Sequence, residues 1–228
     1  MQIGLAYAMS GEIESILKNT NAQLLETVSG VPVYEIEPGI LAYAGGIGKV
    51  NAAMSAQLFI DRYHPDWIVN AGVAGSFLDL PIGTVVLADS FVQHDVDTSA
   101  IGDPVGLVST VNRVEFPTDG LEQAEAILNR LGAAHRTGRV ATGEVFMTKG
   151  ARADWIAETF GAMLCEMEGG AVAQVCLRSG VKFTALKSVS DRLCQDNNAG
   201  EYFNFGEAMA KLNTIVLPFA QELLKQTT

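Results

Sequence analysis

Basic residues are scarce in this sequence. Fifteen lysines and arginines stand against 26 aspartates and glutamates, giving a formal net charge of −11. The acids are spread along the chain and no local basic patch offsets them, which argues against nucleic acid or an anionic lipid surface as a partner. Cysteine is also sparse. Cys165, Cys176 and Cys194 are odd in number, widely spaced and without a CxxC pair. That argues against a disulfide framework and against a zinc site, and free thiols suit a reducing compartment. No apolar run approaches the roughly 20 residues of a membrane helix. The N-terminal MQIGLAYAM carries no basic leader pattern, so a cytoplasmic location is expected. GxSxG, HExxH and paired Cys/His spacings are missing, and His64, His94 and His135 lie far apart in sequence. No metal or cofactor is called for.

What remains is a chain of 228 residues, 48% hydrophobic and 18% charged. It has no internal repeat or linker, and suits one domain over 1–228. Apolar runs alternate with helical patterns, with one antiparallel insertion of three short strands within 23–45. This pattern predicts a three-layer α/β/α fold around a mixed central sheet. An apolar strand over 2–9 leads to Ser10, a plausible helix N-cap, with Glu12 in the first turn. GGIGK at 45–49 opens a helix but fails both the dinucleotide and the phosphate-loop patterns. A buried strand at 66–72 runs into a glycine turn, VAGS. After a long strand at 83–93, Asp95 and Asp97 share one face and His94 takes the other, so a shared metal site is not expected. Residues 98–117 read as a long loop of the functional kind. A strand at 138–147 brings Phe146 and Met147 to its end.

The stretch from Leu164 to Asp191 reads as strand, helix, strand. Glu166 and Glu168 close the first strand and Asp191 closes the second. If the two strands are adjacent and parallel, all three acids face one crevice at the strand ends. Glu12 is a fourth carboxylate at a strand tip. Several acids in one crevice suit glycosidic cleavage, where one protonates the leaving group and another activates water.

Over its whole length the chain resembles the 5′-methylthioadenosine/S-adenosylhomocysteine nucleosidases of the nucleoside phosphorylase superfamily. The resemblance rests on IGLAYAMSGEIE, GGIGKVNAA, NAGVAGS, VQHDVD, ATGEVFM, CEMEGGAVAQVC and SVSD, in that order. It implies a nucleoside phosphorylase-like fold, no cofactor, and hydrolysis of 5′-modified adenosines, 5′-deoxyadenosine types included, to adenine and the sugar. It implies Glu12 as the base that activates water and Asp191 as the acid for adenine N7, held by Ser190. Met167 and Glu168 would hold the ribose, with Glu166 assisting and Met9 touching it. Phe146 would stack on the purine, the Met147 backbone would read its edge, and Phe205 would line the 5′ pocket. Loop 98–117 would reach across a homodimer. The sequence departs from the family at Ile101 and Ser109 in that loop, at Lys187 where arginine is usual, and in a longer loop after Asp191. A purine nucleoside phosphorylase, a non-catalytic nucleoside-binding module and a nucleosidase for another purine nucleoside such as futalosine remain alternatives.

Overall fold

The computed structural model describes residues 1–194 and 203–226. The longer loop expected after Asp191 falls mostly outside them.

Ten strands form one mixed sheet. β1 (Ile3–Tyr7) lies between β4 (Ile40–Ala44) and β5 (Trp67–Ser76), parallel to both. Beyond β4, β3 (Val31–Glu37) and β2 (Gln23–Val28) add the antiparallel meander expected from its turns. On the other side the sheet curls closed. β5 pairs with β10 (Lys182–Arg192), β10 with β6 (Val85–Gln93), and β6 with β8 (His135–Thr142). β8 pairs with β9 (Leu164–Glu166), and β9 returns to β5. β7 (Glu115–Pro117) hangs on β6.

Helices cover both faces, because each carries an apolar stripe that only a sheet face can bury. α2 (Lys49–Tyr63) and α5 (Gly169–Ser179) pack on one side through Ala52, Ala56, Phe59, Ala173 and Cys176. α1 (Ser10–Asn19), α3 (Leu121–Arg130) and α6 (Phe205–Lys225) pack on the other through Ile13, Ile16, Ile127, Leu212 and Phe219. α4 (Ala151–Phe160) closes a smaller cluster with Ile156 and Cys165, and ends on Gly161 in the left-handed conformation that glycine favours. Among the described residues no helix is long and apolar enough to cross a membrane.

Four expectations are corrected. β9 and β10 are neither neighbours nor parallel, since β5 runs between them, parallel to β10 and antiparallel to β9. VAGS is not a turn, because β5 continues through it to Ser76. Residues 98–117 are not structureless: they hold two single 3₁₀ turns, Ser99–Ile101 and Ser109–Val111, and then β7. β8 stops at Thr142, so Phe146 and Met147 stand on a loop beyond the strand.

Candidate active site

A cavity of about 250 Å³ opens at the carboxyl ends of β1, β5, β9 and β10. Its wall includes Glu12, Glu166, Glu168 and Asp191. The separation of β9 from β10 does not scatter the acids, because Cys165, next to Glu166 in β9, and Asp191 in β10 both lie opposite Gly75 of β5.

Glu12 is held as a clamp. Its Oε2 accepts the N–H groups of Ala8 and Met9, each at 2.9 Å, and its Oε1 accepts that of Val73 at 3.2 Å. Ser10 is not the cap of α1: Met9 occupies that position, and the Glu12 carboxylate satisfies its N–H. Burial pushes the Glu12 carboxyl up, opposed by the Met9 N–H, by the charge of Lys187, and by the N–H groups of Val73 and Ala8. Room for the carboxylate comes from Gly72, where an added methyl would lie 2.6 Å from Oε1. Gly72→Ala is expected to cut turnover tens-fold and to lower Tm, since it displaces a carboxylate that three backbone N–H groups hold. Matched kinetic and melting data check this, and full activity would show that the position of Oε1 is not critical.

Asp191 follows a register shift in β10 between Val189 and Asp191, which lies opposite Gly75 of β5. Such a bulge re-aims a side chain at the end of a strand. Among the described residues its hydrogen-bond partner is the Ser190 hydroxyl, which donates to Oδ1 at 2.7 Å. Burial raises the Asp191 carboxyl, and that one hydrogen bond only partly opposes it.

Glu166 and Glu168 flank the start of α5 and differ sharply. Glu166 accepts Lys187 Nζ at 2.9 Å, the Gly169 N–H at 2.8 Å, the Glu168 N–H at 3.2 Å and the Thr142 hydroxyl. Its lone pairs are spent on α5's first N–H groups and on a buried ammonium. Lys187 is itself 2% exposed: burial pulls its pKa down, but Glu166 and Glu168 outweigh that and the net shift is upward. Glu168 is freer. Its Oε1 accepts the Gly48 N–H at 2.8 Å. Burial, then the charge of Glu166, pushes its carboxyl up to about 7.

That shift links Glu168 to stability. A carboxyl whose folded pKa exceeds its unfolded value stabilises at low pH, and the contribution is lost as pH rises through the folded pKa. Glu168→Gln keeps an oxygen for Gly48 and never charges. Its Tm is expected to exceed wild type above about pH 7, and to converge with it below about pH 4. Melting curves across that range decide it, and a variant less stable at every pH would contradict the assignment.

Met9, Met167 and Ser190 lie on the cavity wall, as do Phe146 and Met147. Phe146 is half exposed, and its ring meets Phe203 edge-on at 5.7 Å between centroids. Phe205 stands apart from these residues. It is absent from the wall, packs over Gly11 behind Phe203, and leaves Phe203 to face the cavity. His94 is buried, and among the described residues neither of its ring nitrogens has a hydrogen-bond partner. Among the described residues no group of three His, Cys, Asp or Glu is placed to hold a metal ion.

The phosphorylase superfamily model matches residues 2–224. A curated 5′-methylthioadenosine/S-adenosylhomocysteine nucleosidase from Shewanella oneidensis is 33% identical over 204 residues, covering 86% of each chain.

The chain belongs to this nucleosidase family of the phosphorylase superfamily.

Solved structures agree with the fold. A Helicobacter pylori nucleosidase carrying an aspartate-to-asparagine change, with 5′-methylthioadenosine in its active site, superposes with a TM-score of 0.89 at 28% identity. That match covers 97% of this chain and 98% of the other. A futalosine hydrolase mutant from the same organism gives 0.87 at 27% identity, over 97% and 100%. Family membership accounts for the order of the motifs, from IGLAYAMSGEIE to SVSD. The buried Lys187–Glu166 pair is a contact that an apolar strand pattern hides.

Proposed function

We propose that the chain hydrolyses the N-glycosidic bond of 5′-methylthioadenosine and S-adenosylhomocysteine, releasing adenine and the 5′-modified ribose. One observation carries the division of labour. A buried carboxylate, Glu12, and a half-buried one, Asp191, share the cavity with unequal support for negative charge. Among the described residues, Glu12 has three backbone N–H donors and Lys187 favouring its anion, whereas Asp191 has a single hydroxyl. At neutral pH the proton is better kept on Asp191 and the charge on Glu12.

In this mechanism water attacks C1′ of the ribose and Glu12 takes its proton. The bond from C1′ to N9 breaks, its electron pair passes into the purine, and Asp191 delivers a proton to N7. Ser190 orients Asp191. Glu168 accepts from the ribose hydroxyls beside Met9 and Met167, while Glu166 holds the start of α5 in place. Phe146 stacks on the purine and the Met147 backbone reads its edge. The curated relatives, named for the same two substrates, support this reading.

Phosphorolysis is disfavoured. The Gly48 N–H, which could cradle an anion at the start of α2, is given to Glu168 instead. A futalosine-type substrate is the second reading, favoured by the similarity to the futalosine hydrolase. We further propose one cytoplasmic domain acting as a homodimer. Ile101, 81% exposed on the first 3₁₀ turn of loop 98–117, supports a partner contact there.

Incubating pure protein with 5′-methylthioadenosine, S-adenosylhomocysteine or futalosine, with and without phosphate, separates these readings. Free adenine and methylthioribose without phosphate support the proposal. Strict phosphate dependence, or release from futalosine alone, overturns it.

A further inference from the structure

Two irregular segments reach the cavity. The turn 45–48 contributes Ile47, and the loop 143–150 contributes Val145, Phe146 and Met147. Neither belongs to a strand or helix, so neither inherits a fixed position from the sheet. Side chains outside the cavity join them. Asp95, just past β6, accepts Lys49 Nζ on Oδ1 at 2.6 Å and the Glu144 N–H on Oδ2 at 2.9 Å. Glu144 reaches back, its Oε1 accepting the Val50 N–H at 3.2 Å. The contacts form a ring through 49, 95, 144 and 50, from the first turn of α2 to the start of the cavity loop. Lys49 also donates to Gln93 Oε1 at 3.2 Å, and Gln93 donates to Gln174 Oε1 of α5 at 2.7 Å.

We propose that Lys49, Asp95 and Glu144 form a latch that fixes the base-contacting loop relative to the sugar-contacting Glu168, and so act as positioning residues for the nucleoside. The inference rests on the nucleosidase reading above. Three features carry it. The Lys49 and Asp95 side chains are only 18% and 17% exposed, which separates them from an ordinary surface pair. Asp95 divides its two oxygens between the two segments, so one carboxylate ties both. The same turn presents Glu168 with the Gly48 N–H, one residue before Lys49. A shift of the loop against the turn thus becomes a shift of the purine against the ribose. Both rings of one nucleoside must be gripped at once, so a loosened latch weakens binding of the whole substrate. Charge-assisted hydrogen bonds suit this use, being about twice as strong as neutral ones.

The test measures KM and kcat for adenine release, together with Tm, in Lys49→Met, Asp95→Asn, Glu144→Ala and the Lys49→Met/Asp95→Asn pair. Affinity for 5′-methylthioadenosine is measured separately in an Asp191→Asn background, where turnover does not interfere. Each single change is expected to raise KM about tenfold, with kcat within about threefold. The double variant should be no worse than the poorer single one, because both break the same contact. Lys49→Arg should recover most of the loss. Glu144 is exposed, so its variant keeps the test open if Asp95→Asn fails to fold. A lowered Tm with unchanged KM, or effects that simply add, overturns the latch. A wild-type protein that releases no adenine overturns the functional reading, and the latch with it.

Discussion

Asp191→Asn is expected to lower adenine release from 5′-methylthioadenosine by about 10³-fold while leaving the fold and nucleoside binding in place. The side chain keeps its shape and its oxygen toward Ser190, so the hydrogen bond at 2.7 Å survives. What disappears is a transferable proton. Adenine is a poor leaving group as an anion and a good one when N7 is protonated, so the loss falls on the chemical step. Burial already keeps Asp191 above the usual carboxylate range, so the neutral amide costs the folded protein little. Single-turnover rates, substrate affinity and Tm should be measured together. A variant that keeps a tenth of wild-type turnover removes Asp191 from the acid role. One that fails to bind nucleoside assigns it to binding instead.

Glu12→Gln is expected to cost about 10²- to 10³-fold in kcat, and unlike Asp191→Asn it should also lower Tm. The carboxylate uses both oxygens to accept three backbone N–H groups. An amide has one acceptor oxygen. Whichever way it turns, its NH₂ faces at least one backbone donor, and a buried N–H left unpaired costs about 1–3 kcal/mol. The substitution thus removes the base and loosens the start of α1 together. Glu12→Asp separates the two effects, since it keeps the charge but draws it back from Val73. Turnover within threefold of wild type in Glu12→Gln would exclude Glu12 as the base.

The sequence showed the site's chemistry better than its geometry. Glu12, Glu166, Glu168 and Asp191 stand out because charge at the tips of apolar runs serves no core, and the cavity wall includes all four. Strand order is another matter. Hydrophobic periodicity marks β9 and β10 but says nothing of β5 running between them, since pairing is settled by packing across long separations. Lys187 shows the same limit, because a lysine in an apolar run gives no sign that it meets Glu166 across the sheet interior. Phe203 and Phe205 are two residues apart with similar surroundings, and only the path of the chain into α6 decides which ring faces the cavity. The ring of Lys49, Asp95 and Glu144 joins three distant segments. VQHDVD and GGIGKVNAA were each conspicuous, but nothing in either indicated the other.

The closed part of the sheet also dictates the order in which the protein can be made. β10 fits between β5 and β6, although nearly ninety residues separate it from the end of β6 in the chain. While a ribosome is still translating the intervening segment, two long apolar strands wait with unpaired edges, a condition that invites association with other chains. Among the described residues, the last strand to emerge is the one that fills this gap, and it carries Asp191 next to its end. Catalytic competence and protection of the nascent sheet therefore arrive in one late step. A chain terminated before Lys182 would be an aggregation hazard as well as an inactive enzyme.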